Sequence, residues 1–234
     1  MELRGQLSGQ ASHLSGPALT DEDAARLLNE LLDAGVSLID TSVDYGRSEE
    51  LIGRYLSPRR GELFLASKCG CPVSPPPGAA TIGQHDYSAA NVRADVEQSL
   101  RRLRTDRLDL VQAHLSPPRS AMEASGTIEA LQGLRAEGRV RFIGMSGTLP
   151  NLPGHIDMGV FDVFQIPYSA LQPEHGDLIT RAADAGVGVL IRGAVARGTA
   201  SGDKNWTVQP LSASGPRPGT AGRQPNSTSC WATA

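Results

Sequence analysis

The chain has 234 residues, 39% of them hydrophobic and 20% charged, with a formal net charge of -3; that is enough for one sizeable core. The near-neutral balance, with no basic cluster larger than Arg101-Arg102-Leu103-Arg104, argues against nucleic acid as a partner. No apolar run approaches the ~18–20 residues of a membrane span, and MELRGQLSGQ lacks the apolar centre of a signal peptide, so no membrane association and a cytoplasmic location are expected.

Residues 1–19 carry little pattern and are expected to be weakly structured. Thr20 is placed to cap a helix whose first turn is Asp21, Glu22 and Asp23, with Ala24, Leu27, Leu28, Leu31 and Leu32 on one face. Val36–Ile39 reads as the first strand, and Ser48 as the cap of the next helix, with Leu51, Ile52 and Tyr55 inward. Leu63–Ala66 is the second strand. A long connection follows, and Ser88 then opens a helix striped by Val92, Val96, Leu100 and Leu103. Leu108–Ala113, Val140–Met145, Phe161–Ile166 and Val187–Ile191 are the remaining strands. Helices start at Thr127 and at Pro173, and stop near Gly138 and Gly186.

Apolar strands alternating with amphipathic helices mean a parallel sheet covered by helices. An open dinucleotide fold would need a Gly-rich turn such as GxGxxG straight after a strand, and none is present. Polar residues at successive strand ends suit a closed barrel instead. The expected fold is α/β, of the (β/α)8 TIM-barrel type, incomplete, with about six βα units over residues 20–198. From Thr199 onward half of the 36 residues are Ser, Thr, Gly or Pro, so 199–234 is expected to be a disordered, low-complexity tail. Its abrupt change of character reads as a truncation or an out-of-frame continuation.

Four residues carry the chemistry. Asp40 ends the first strand, Tyr45 follows in the loop, Lys68 ends the second strand and His114 the third. In a parallel sheet these junctions lie side by side. A phenol is a poor acid at neutral pH, and a nearby ammonium favours its phenolate. Asp40 would hold that ammonium, and a histidine can bond a carbonyl oxygen. Such a group donates a proton as a carbonyl becomes an alcohol. Side chains cannot supply hydride, which implies a nicotinamide cofactor. Cys69-Gly-Cys71 with His85 lacks the fourth ligand and the usual spacing of a zinc site, so no metal is expected. The three cysteines, Cys230 included, give no disulfide framework.

The segments DTSVDYGRSEELIG, ASK (Ala66–Lys68), LDLVQAH (Leu108–His114), FIGMSG (Phe142–Gly147) and FQIPYSAL (Phe164–Leu171) occur in an order that resembles the aldo-keto reductase family. The resemblance implies a (β/α)8 barrel that reduces aldehydes and ketones with NADPH, or with NADH, since nothing here matches the segment that discriminates them. It implies Tyr45 as general acid, Lys68 and Asp40 as its tuning pair, and His114 as the residue that orients the carbonyl of a small-molecule substrate. Ser146 and Gln165 match positions that bond the nicotinamide carboxamide. At Gly147 the family more often has asparagine, so one amide contact is lost or replaced. Arg192 matches a position whose side chain lies against the nicotinamide, and Gly193 opens a loop whose backbone approaches the pyrophosphate. A second reading is a barrel remnant without turnover that binds a nucleotide or a protein.

Overall fold

The computed structural model describes residues 20–71 and 85–194. The expectations for residues 1–19, for the connection over 72–84 and for the tail lie outside the described residues. Six strands form one parallel sheet: β1 (Leu38–Asp40), β2 (Phe64–Cys69), β3 (Leu108–His114), β4 (Val140–Ser146), β5 (Val163–Pro167) and β6 (Gly188–Arg192). Their spatial order is the sequence order. A doubly wound sheet reverses direction at a switch point, whereas a barrel adds each strand beside the last. The sheet is therefore a curled half-barrel, with β1 and β6 as edges among the described residues.

Alternation along each strand divides the side chains. Leu65, Cys69, Val111, Ala113, Ile143, Met145, Phe164 and Ile166 join the core under the helices. Between them on the strands stand Lys68, Gln112, His114, Ser146 and Gln165, which face the barrel axis. The covering helices are α1 (Asp21–Asp33), α2 (Ser48–Leu56), α3 (Ala89–Leu103), α4 (Arg119–Ser125), α5 (Thr127–Ala136), α6 (Leu152–Ile156) and α7 (Gly176–Asp184). None is long and apolar enough to cross a membrane.

The cap at Thr20 forms as read from sequence, and Ser88 caps the helix it opens: each side chain accepts from the backbone N–H three residues on. Ser48 does not cap. It lies inside α2, and its hydroxyl accepts from Thr41 Oγ1 at 2.9 Å, tying the helix to the loop after β1.

Helix α2 crosses α3 at Gly53, where a Cβ would lie 2.1 Å from the Arg102 carbonyl oxygen and 2.7 Å from Leu103 Cα. In an exposed helix interior, Gly→Ala would stabilise by about 1 kcal/mol. Here the sign reverses, because backbone cannot yield as a side-chain tip does. Gly53→Ala is expected to destabilise by about 1–3 kcal/mol in a denaturant titration. A gain in stability would mean that the helices do not cross at this distance.

Candidate active site

The strand registers place the polar residues in two adjacent groups. In the first, Lys68 pairs in register with Gln112 of β3, and Asp40 ends β1 beside Ala66. Lys68 is 1% exposed, and its Nζ donates to Asp40 Oδ2 at 2.6 Å and to the Thr41 carbonyl at 2.7 Å. Gln112 Nε2 donates to the other Asp40 oxygen at 2.8 Å. A buried ammonium needs such partners, because its hydration is lost. The Lys68 Nζ also sits 4.7 Å from the centroid of the Tyr45 ring.

The second group lies along one row, since His114 is in register with Ser146, and Ser146 with Gln165. Ser146 Oγ donates to Gln165 Oε1 at 2.9 Å. The rings of Tyr45 and His114 meet edge to face with centroids 6.2 Å apart, which joins the two groups. Arg192 ends β6, close enough for its charge to act on His114. Gly193 follows with a φ of 69°, a conformation that favours glycine. Arg192 and Gly193 line a cavity of ≈ 310 Å³ with Thr148, Leu149, Pro167, Gln172, Glu174 and His175.

The electrostatics depart from the sequence reading at one point. Lys68 was expected to lower the Tyr45 pKa. Burial outweighs it, and the phenol is held above its usual value, with Lys68 pulling down and Asp40 and Asp44 pushing up. Tyr45 is therefore a protonated phenol at neutral pH, beside a cation that favours its ionised form. Burial also pushes His114 down to about 4, helped by the charges of Lys68, His85 and Arg192 against the opposing pull of Asp44. His114 is neutral at pH 7 and can donate one N–H.

Four contributors were not singled out from sequence. Gln112 holds Asp40, yet within LDLVQAH it reads as strand filler; its place two residues before His114, on the same face, was the available signal. Thr41 supplies a carbonyl, which no side-chain motif announces. Ser116 fills the space a side chain at 147 would need, with its Oγ 2.2 Å from a Cβ built on Gly147. The Ser116 hydroxyl accepts from the Thr148 N–H and donates to the Thr148 carbonyl, both at 3.1 Å. Asp95 of α3 is fully buried and accepts from the Gly70 and Cys71 amides at 2.7 and 3.1 Å, fixing the turn just after Lys68.

Burial raises Asp95 to about 7, although those two amides pull it down. Between the ordinary carboxyl value and about 7 the folded chain thus binds a proton that the unfolded chain has released. This contribution is full at low pH and is lost as pH rises through about 7, with a slope of up to ~1.4 kcal/mol per pH unit. Asp95→Asn is expected to remove that slope from a pH series of denaturant titrations. An unchanged series would show that Asp95 is ionised in the fold.

Strands added in sequence order, with helices between them and polar side chains at their carboxyl ends, define a barrel-type α/β protein. A sequence profile of the Aldo/keto reductase family matches residues 8–219, and the chain belongs to that family of oxidoreductases. The match starts before and ends after the stretch of 20–198 whose motifs are legible by eye. The chain is 31% identical over 206 residues to L-galactose dehydrogenase of Arabidopsis thaliana, covering 82% of this chain and 61% of that protein. It is 29% identical over 190 residues to aldo-keto reductase YhdN of Bacillus subtilis, covering 78% and 55%. Among solved structures, aldo-keto reductase AKR11C1 from Bacillus halodurans in its holo form is 30% identical with a TM-score of 0.69, over 76% of this chain and 59% of that one. The chain spans about half the length of the curated relatives it matches.

Proposed function

We propose that the chain reduces an aldehyde or ketone to an alcohol, with Tyr45 as the proton donor. The observation that carries this reading is the convergence of Tyr45 on a buried Lys68–Asp40 pair, with a neutral His114 across the ring. Tyr45 Oη holds the proton and releases it to the carbonyl oxygen as negative charge builds there. The Lys68 ammonium stabilises the phenolate left behind. Asp40, Thr41 and Gln112 keep that ammonium in place through the cycle. The neutral His114 imidazole donates a hydrogen bond that orients the carbonyl.

The rim residues fit a nicotinamide. A hydroxyl and a primary amide side by side, Ser146 and Gln165, complement the donor and acceptor of a carboxamide. The cavity beside Arg192 and Gly193 offers room, a planar guanidinium and a glycine backbone. The reduced cofactor, when bound, supplies the hydride. NADPH is the proposed form, and carbonyl compounds of small size are the proposed substrates.

A binding module without turnover is the second reading, favoured by the two open edges β1 and β6 among the described residues. Titrating the purified full chain with NADPH, followed by turnover with a panel of aldehydes, separates the two. Binding with turnover supports the reductase. Binding without turnover supports a nucleotide-binding module, and no binding removes the reductase and leaves the remnant that binds a protein.

A further inference from the structure

One cluster at the rim shares only His114 with this chemistry, and its Cys71 and His85 take no part in it. Cys71, His85 and His114 bring one ligand atom each within 4.8 Å of one another. Cys71 Sγ lies 3.1 Å from His114 Nδ1 and 3.6 Å from His85 Nε2. We propose that these three side chains bind a zinc ion. Tetrahedral zinc, with bonds of ~2.3 Å to sulfur and ~2.0–2.1 Å to nitrogen, separates such ligands by about 3.6 Å. The Cys71–His85 pair already has that spacing, the Cys71–His114 pair must open by about half an ångström, and the two imidazoles offer atoms within 4.8 Å of each other. A thiolate with two imidazoles is a borderline-soft donor set, suited to zinc and not to magnesium or calcium.

The ligands are also held from behind. The Cys71 amide donates to Asp95 Oδ2 at 3.1 Å, and its carbonyl accepts from Asn91 Nδ2 at 3.3 Å. The His114 carbonyl accepts from the Tyr87 hydroxyl, and the same Tyr87 ring stacks on His85 with centroids 5.9 Å apart. Preordered backbones and stacked rings reduce what binding must organise. A water completes four-fold coordination. The Cys69 thiol takes no part, since it is buried in the core on the other face of β2. Zinc replaces the Cys71 thiol proton, which passes to solvent, and nothing is oxidised or reduced.

The test titrates the full chain, freed of metal with a chelator, with Co²⁺ as a spectroscopic probe and then with Zn²⁺. The expected result is a thiolate-to-cobalt charge-transfer band that saturates at one ion per chain and is displaced by zinc. The band should vanish in Cys71→Ser and in His85→Ala, both folded by circular dichroism, and persist in Cys69→Ser. Absence of the band in the wild type overturns the site. So does a band that survives both variants, or one that follows Cys69 or Cys230 instead. Turnover is not read in this experiment, so it stands or falls apart from the reductase proposal.

Discussion

Tyr45→Phe is expected to lower carbonyl reduction by ~10²–10⁴-fold, the range that a positioned proton donor contributes. Only the hydroxyl is lost, so the ring keeps its edge-to-face contact with His114 and its place over Lys68. NADPH affinity should therefore stay near the wild-type value, and the loss should fall on kcat. Steady-state turnover beside a cofactor titration checks this. Turnover within a factor of two of the wild type would remove Tyr45 from the proton path. The raised phenol pKa sets a direction as well: the proton is in place throughout the neutral range and is lost only in strongly alkaline solution.

Lys68→Met carries the largest expected cost to stability. The ammonium is 1% exposed and serves both Asp40 and the Thr41 carbonyl, so its removal takes from the Asp40 carboxylate its counter-charge and leaves it the Gln112 amide. Breaking a buried pair on one side costs ~3–5 kcal/mol. The Asp40 side chain is 24% exposed and reaches water, which favours the lower end of that range. For a chain of this size the melting temperature should fall by roughly 6–12 °C. Adding Asp40→Asn in the same chain should recover part of the loss, since no buried charge then remains unpaired. Turnover should stay low in both variants, because the phenolate has lost its counter-charge. A Lys68→Met chain with unchanged melting and turnover would contradict the account at its centre.

Much of this was legible because polar residues stand out against apolar strands. Asp40, Lys68 and His114 were visible as the first charged or ring-polar side chains after runs such as LDLVQA. The same contrast misplaced the strand ends. The ladder runs on through Asp40, Cys69, His114, Ser146, Pro167 and Arg192, because the backbone of a strand-end residue can pair whatever its side chain does. Hydropathy ends a strand where the side chain turns polar, one to three residues early. Helices α4 and α6 were also missed. α4 buries only Met122, and α6 is a five-residue turn that contains Pro153 and Gly154, so neither carries a helical stripe.

Register was the least legible part. That Lys68 faces Gln112, and that His114, Ser146 and Gln165 form one row, depends on how neighbouring strands slide, which single-strand patterns do not encode. The Cys71–His85–His114 cluster was hidden for the same reason. The sequence offered Cys69 and Cys71 as neighbours, while the strand sends the Cys69 thiol into the core and brings His114 from the next strand. Burial, likewise a tertiary quantity, reversed the expected sign at Tyr45.

The most direct measurement uses NADPH carrying deuterium at its transferable position with an unlabelled aldehyde, in the wild type and in Tyr45→Phe. The account predicts an alcohol with deuterium on the carbinol carbon from the wild type, and almost none from the variant despite normal cofactor binding. An unlabelled alcohol, or a labelled one formed at the wild-type rate by Tyr45→Phe, would contradict it.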